Sequence, residues 1–371
     1  MTKLRLLKLA PALLMLATSC RTTLVHKAAR NGLVPGQTHS IDSSINSMRL
    51  RTEGNRILNA QGDEVELRGV NIASLEWRND GDHVEESVRR AIKDWKVNFI
   101  RLPLAQDRWF GKMPNQTDDG IAYRKIVDTL VGVCAANRVY LDLDLHWSDC
   151  GKWVNEGGKL GQHNLPDAHS IAFWQDVATR YRNHPNVIFG LYNEPHDVPW
   201  AVWLKGGTVT DKPSRRERDQ TQITYEAVGM QQLYHAVRKA GAQNLVTASG
   251  LEWGYDLSGV SKGYALVGTN IIYETHPYPN KKNWDKCFGG VSEKYPVYVG
   301  EWGFRGTNGL DYAKRLMSYI QQRHIQAWTA WDFHPHAGPS LIKNWDYEPT
   351  LFGQFVKDLL TAKQTPDSMS P

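Results

Sequence analysis

The chain has 371 residues, of which 41% are hydrophobic and 22% charged, with a formal net charge of +5. These proportions suit a folded globular protein with one large domain or two ordinary ones, not a disordered chain. No long Lys/Arg run accompanies the modest positive charge, so nucleic acid is not the expected partner.

The first segment, MTKLRLLKLAPALLMLATSC, reads as an export signal. Lys3, Arg5 and Lys8 precede an apolar run from Leu9 to Ala17, too short to span a bilayer, and small residues lead to Cys20. It resembles a bacterial lipoprotein signal with Cys20 as the lipidated residue, although Ala17 stands where that pattern prefers Leu. Ordinary secretion is the alternative. Either route makes the mature protein exported, with a lipid on Cys20 as its only expected membrane contact. Residues 21–47 are polar and without periodicity, and read as a flexible tether. The tail 363–371 reads as disordered.

RLRTEGNRILNAQGDEVELRG follows, two alternating runs about NAQGDE, and predicts a β-hairpin. Beyond it the apolar runs LRGVN, VNFIRLPL, YLDLDLHW, VIFGLYNE, LVTASG, IIYETHPY, VYVGEWGF and AWTAWDF read as eight strands. Helical patterns are expected at 84–95, 119–137, 168–183, 222–240, 309–323 and 350–362. The stretch between the fifth and sixth strands is too short for a clear helix. Eight strands alternating with helices predict a parallel sheet, and the span from Asn71 to Trp331 is close to the roughly 250 residues of a closed (β/α)8 barrel. An open doubly wound sheet would carry a glycine-rich phosphate loop after its first strand, and GVNIASLEW has none. The predicted fold is therefore an α/β (β/α)8 TIM barrel over residues 48–362, with the hairpin capping its N-terminal end.

In such a barrel the strand ends converge on one face. Here they carry Asn71, Arg101, His146, Asn193-Glu194, Ser249, His276 with Tyr278, Glu301 and Trp331. Glu194 and Glu301 are the candidate catalytic pair. Two carboxyls about 5 to 5.5 Å apart suit retaining glycoside hydrolysis, one attacking the anomeric carbon and the other serving as acid and then base. Arg101 beside Glu301 is expected to keep it ionised, and that charge to raise the pKa of Glu194.

LYNEPHD and VYVGEWGF resemble the acid/base and nucleophile motifs of glycoside hydrolase family 5, the large cellulase family of clan A, over roughly residues 49–360. The resemblance implies a (β/α)8 barrel and a retaining mechanism. It implies Glu194 as acid/base and Glu301 as nucleophile, with Arg101 bracing the nucleophile. It gives His146 to the −1 sugar site, Asn193 to the 2-hydroxyl, His276 and Tyr278 to the flanks of the carboxylates, and Trp331 to the −1 floor. The commonest activity of that family makes a β-1,4-linked glucan the expected substrate; mannanase, other β-glucanase and transglycosylase activities share the same residues. Trp77, Trp147, Trp153, Trp253 and Trp302 follow strand ends and are candidates for further sugar platforms, since indole faces stack on sugar rings. No cofactor, no metal and a monomer are expected.

Two other classes stay open. DLDLH and WDFHPH place Asp and His at short spacing, as a metal-dependent hydrolase on the same barrel would, but the first strand lacks that class's His-x-His. A non-catalytic glycan-binding lipoprotein is the other, against which both glutamates stand intact. Export permits disulfides. Cys134 falls in a helical pattern and reads as a buried thiol. Cys150 and Cys287 fall in loops on the same face and are the candidate pair. His83, His163, His169, His184 and His235 lie off the strand ends and are expected at the surface.

Overall fold

The structure, a computed structural model, describes residues 47–212 and 221–362. The export segment with Cys20, the tether up to residue 46 and the tail from 363 lie outside the described residues. Two short strands, β1 (Arg51–Glu53) and β2 (Arg56–Leu58), pair antiparallel. Next come β3 (Leu67–Asn71), β4 (Phe99–Ala105), β5 (Tyr140–Trp147) and β6 (Val187–Gly190). An excursion then contributes β7 (Gly207–Asp211) and β8 (Ile223–Ala227). The chain returns with β9 (Val246–Ser249), β10 (Ile271–Thr275), β11 (Val297–Val299) and β12 (Ala327–Ala330). Strands β3, β4, β5, β6, β9, β10, β11 and β12 are parallel in that order, and β12 closes on β3. The eight predicted strands are thus the eight barrel strands. Both faces of each are covered, which is why they read as apolar runs in the sequence.

Helices occupy the outer layer. In the helix Val84–Trp95, Val84, Val88, Ala91 and Trp95 are buried at helical spacing, while Glu85 and Arg89 pair on the wet face at 2.7 Å. The helix Ala168–Tyr181 starts at a capping box, Asp167 with Ser170. The helix Leu351–Thr361 starts at Thr350, whose hydroxyl accepts from Gly353 N at 3.0 Å. The expected helix over 222–240 is shorter: Ile223–Ala227 is a strand pairing with β7, and the helix runs Met230–Lys239. The β-branched Ile223 and Thr224 suit the ribbon, and Gly229 breaks the two apart, its N–H held by Gln232 Oε1 at 2.8 Å. Among the described residues no helix is long and apolar enough to cross a membrane.

The hairpin caps the barrel bottom as expected, but its regular pairing turns at Gly54-Asn55, one turn earlier than predicted. Gly54 takes φ +61, which glycine adopts without cost. NAQGDE forms a second turn, bridged Leu58 to Glu64 and tightened by Asn59 Oδ1, which accepts from the N–H groups of Gln61 and Asp63 at 2.9 Å. Met48, Leu50 and Ile57 join the lower ends of the strands, Leu67, Phe99, Tyr140, Ile188, Leu245, Ile272, Tyr298 and Ala327, in a closed apolar cluster. Gln326 locks the hairpin down, accepting from Ile57 N at 2.7 Å and donating to Ile57 O at 3.1 Å.

Ile57 is fully buried in that cap. Ile57→Ala is expected to cost about 2–4 kcal/mol of folding stability, measured by urea denaturation. The cap sits at the end of the barrel opposite the strand C-termini, so turnover at a saturating substrate level should be unchanged.

Candidate active site

The C-terminal strand ends bring their polar residues to one mouth. Arg101, on β4, is the centre of it. Its guanidinium is fully buried and touches five side chains. Nη1 donates to Asn71 Oδ1 at 3.1 Å and to Glu301 Oε1 at 3.0 Å. Nη2 donates to Asn193 Oδ1 at 2.7 Å and lies 3.1 Å from Asp144 Oδ2. Nε lies 3.0 Å from Glu274 Oε1. Burial works against the charge, but Asp144, Glu274 and Glu301 outweigh it and hold the Arg101 pKa well above the ordinary arginine value.

Glu194 and Glu301 face each other across this centre, with a carboxylate oxygen of each and a ring nitrogen of His276 all within 4.8 Å. His276 Nδ1 is 2.8 Å from Glu194 Oε1 and 3.7 Å from Glu301 Oε2. Its Nε2 is 3.1 Å from Glu274 Oε1. Tyr278 donates to Glu301 Oε2 at 2.8 Å. Gly300 makes this packing fit, because a Cβ there would lie 1.9 Å from Glu274 Oε1.

The electrostatics correct one expectation. Burial lowers the pKa of His276, but Glu301, Glu194 and Glu274 outweigh that and push it up to about 10. Burial raises Glu194, yet its hydrogen bond from His276 wins and holds it below the ordinary glutamate value. Glu301 is raised, by burial first and by the Glu194 charge, with His276 and Arg101 offsetting only part. The resting order is therefore the reverse of that expected. His276 lies nearer Glu194 than Glu301, and Glu301 is the more buried of the two. Tyr278 stays protonated, pushed up by burial and by Glu301.

His146 donor geometry is fixed by Asp144 Oδ2 at 2.7 Å from Nδ1, and its ring lies parallel to Trp331, centroids 5.4 Å apart. Asn193 Nδ2 is 3.2 Å from His146 Nε2. All eight predicted site residues thus form one connected cluster. Sequence reasoning missed three partners. Asp144 and Glu274 sit two residues before His146 and His276, so they share their strand face, and that parity is legible in DLDLH and YETH. Gln162, from the loop after β5, accepts from Asn193 Nδ2 at 2.8 Å and donates to the Glu194 carbonyl at 3.1 Å. It carries no comparable signal.

The tryptophans divide. Trp253 is 43% exposed, with one face stacked on His196 at 3.6 Å. Trp77 and Trp147 are half-buried, and Trp153 lies flat on His169 at 3.5 Å. Trp302 is not a platform: it is fully buried against Trp328 and Phe352 in the outer layer. Strand parity explains it, since Glu301 points inward and its neighbour outward. Cys150 and Cys287 do not pair; both are free thiols. Their loops follow β5 and β10, with β6 and β9 between them in the barrel. Cys134 is buried in its helix as expected, but His163 is buried too, not at the surface.

A raised histidine pKa stabilises the fold fully below its ordinary value of 6.5, and this contribution is lost as pH climbs through about 10. Unfolding free energy should therefore fall over that window, and His276→Gln should remove this part of the slope. Equal slopes for the two proteins in urea denaturation from pH 6.5 to 10 would contradict the assignment.

Comparison with known proteins agrees with this geometry. The family model for cellulase (glycosyl hydrolase family 5) matches residues 58–337. An endoglucanase from Paenibacillus polymyxa is 24% identical, the match covering 84% of this chain and 88% of that protein. Endoglucanase E-5 from Thermobifida fusca is 25% identical over 76% of this chain, but only 54% of its own length is spanned. This chain likewise covers only about half of several other curated relatives. Among solved structures, a β-glucanase from Saccharophagus degradans superposes with a TM-score of 0.65 at 23% identity, covering 84% of this chain and 92% of that one. The catalytic domain of the Thermobifida fusca endoglucanase gives 0.63 at 17% identity, covering 87% and 99%. At those identities the superpositions establish the barrel, and the family model, matching well over half of the chain, establishes the kinship: this chain belongs to glycosyl hydrolase family 5.

Proposed function

We propose that the chain is a retaining endo-acting β-1,4-glucanase whose catalytic domain is residues 48–362. The observation that carries the reading is the Glu194–Glu301 pair, with carboxylate oxygens within 4.8 Å of each other. That separation leaves no room for a water between carboxylate and sugar, and so favours attack by the protein itself. Glu301 attacks the anomeric carbon, the bond to the leaving oxygen breaks, and Glu194 delivers its proton to that oxygen. Water then enters, Glu194 takes its proton, and the glycosyl–Glu301 ester is cleaved. Glu194 draws the proton it delivers from solvent, to which its side chain is partly open, while His276 Nδ1 orients the carboxyl from 2.8 Å. Arg101 and Tyr278 hold Glu301 in line. Asn193, braced by Arg101 and Gln162, binds the hydroxyl next to the reacting carbon, and His146 with Trp331 lines the −1 site.

The substrate assignment draws on the relatives. Several bear the name endoglucanase, and the Saccharophagus and Thermobifida enzymes have been crystallised with cellotetraose. Trp253, 43% exposed, with the half-buried Trp77 and Trp147 after β3 and at the end of β5, offers aromatic surface for further sugar units. The reaction needs no cofactor and no metal, and a monomer suffices for it.

Hydrolysis of carboxymethyl cellulose and barley β-glucan is the expected result, with galactomannan and laminarin untouched. Glu301→Gln should lose roughly 10³-fold or more in kcat. Activity on mannan or laminarin alone would keep the mechanism and overturn the substrate; activity surviving in Glu301→Gln would overturn the mechanism.

We further propose export as a lipoprotein, with Cys20 as the lipidated residue, on the strength of the basic and apolar pattern of residues 1–20. Metabolic labelling with palmitate in a bacterial host should mark the wild type and not Cys20→Ala. Unlabelled protein in the medium would indicate ordinary secretion instead.

A further inference from the structure

Among the described residues, three groups bring together at least three side chains with metal-ligating atoms. Two are accounted for. Glu194, His276 and Glu301 are the candidate catalytic group. Asp149, Asp167 and His169 satisfy one another and Gln106: Gln106 Nε2 donates to Asp149 Oδ2 at 2.9 Å and to Asp167 Oδ2 at 3.0 Å, and His169 Nδ1 lies 3.0 Å from Asp149 Oδ1. The third group, Cys150, His163 and Asp211, has no part in the mechanism.

We propose that Cys150, His163 and Asp211 form a binding site for a zinc-class divalent transition metal, tying the loop after β5 to the β7–β8 ribbon. One ligand atom from each lies within 4.8 Å of the others. Cys150 is 6% exposed and His163 2%, while Asp211 closes the site from the end of β7. A thiolate with an imidazole selects zinc or cobalt over magnesium or calcium. The thiolate and carboxylate charges together neutralise a divalent ion, so the buried site carries no net charge when filled.

The orientation of His163 supports this. Its Nε2 lies 2.6 Å from the Lys159 carbonyl oxygen, which can only accept, so Nε2 carries the hydrogen. Nδ1 therefore faces the other two side chains, 2.5 Å from Asp211 Oδ2. A metal-bound imidazole has this arrangement, its other N–H donated to a backbone carbonyl. Cys150 sits at φ 60, in the left-handed region uncommon for a residue with a side chain. Its turn is held by Gly151 N donating to Asp149 Oδ1 at 2.9 Å.

Binding displaces to solvent both the thiol proton and the proton shared between His163 Nδ1 and Asp211 Oδ2. Sγ, Nδ1 and a carboxylate oxygen then take three positions, and the fourth is left to water. Ligand distances of about 2.0–2.3 Å require Nδ1 and Oδ2 to part to about 3.3 Å. The Asp211 side chain is partly exposed at the ribbon end and can take up that movement. The consequence reaches the active site, because Gln162, next to His163, holds both Asn193 and the Glu194 carbonyl.

The test uses the full chain, stripped with a chelator and titrated with cobalt(II) chloride. The expected result is uptake of one equivalent with a thiolate-to-cobalt charge-transfer band in the near ultraviolet, displaced by zinc. The band should persist in Cys287→Ser and Glu301→Gln and vanish in Cys150→Ser. Asp211→Asn keeps the thiol, and should weaken cobalt binding roughly 10-fold or more, which tests the site even if Cys150→Ser fails to fold. No band in the wild type, or one that survives in Cys150→Ser, would overturn the proposal and leave only the hydrogen bond between His163 and Asp211.

Discussion

The active-site mouth is organised by the burial of one guanidinium. Removing a charge this completely from water costs several kcal/mol, and only well-placed opposite charges offset it. Arg101 has three such charges, Asp144, Glu274 and Glu301, each about 3 Å away. They come from or directly follow β5, β10 and β11, while Asn71 and Asn193 add contacts from β3 and the end of β6. The arginine thus ties together strands far apart in sequence. It also fixes the register in which their ends meet, since a slip of one residue would leave a buried carboxylate without its cation.

The same network sets the protonation of the site. Arg101 and His276 are two buried cations among four buried or half-buried carboxylates, so no group titrates alone. Placing His276 closer to Glu194 than to Glu301 lowers the first and leaves the second raised. Double displacement asks for the opposite order at the moment of attack. The short His276–Glu194 contact, 2.8 Å, ties the two groups together, so neither carboxylate changes its protonation independently of the imidazole.

Much of this was legible in the sequence. Buried parallel strands write themselves as apolar runs, and a strand whose end must do chemistry changes abruptly to Asn, Glu, His or Arg. What escaped follows from two causes. Strand parity is the first: it points Trp302 away from the mouth that Glu301 faces, and brings Asp144 and Glu274 in beneath His146 and His276. Loop meetings were beyond any local pattern. Nothing in Gln162 announces that it reaches Asn193, and the free Cys150 and Cys287 differ from a bonded pair only through where the barrel carries their loops. The Ile223–Ala227 ribbon belongs to the same class, since its strand state is decided by the partner strand β7.

Chemistry and specificity are therefore held by different parts of the molecule. The barrel strands hold the carboxylates, and nothing in their arrangement distinguishes one β-linked sugar from another. Recognition falls to the loops, and here the loop after β5 and the β7–β8 excursion are tied together. Tyr225 of β8 accepts from Leu165 N at 3.1 Å and donates to its carbonyl at 2.6 Å. His163 meets Asp211, and Trp203 donates to Ser249 O at 2.9 Å beneath the excursion. Gln162 links this wall to Asn193 and the Glu194 carbonyl. A change in the ribbon that alters which polysaccharide fits would therefore also be felt at Asn193 and Glu194, so substrate choice and turnover in this chain are coupled through one loop.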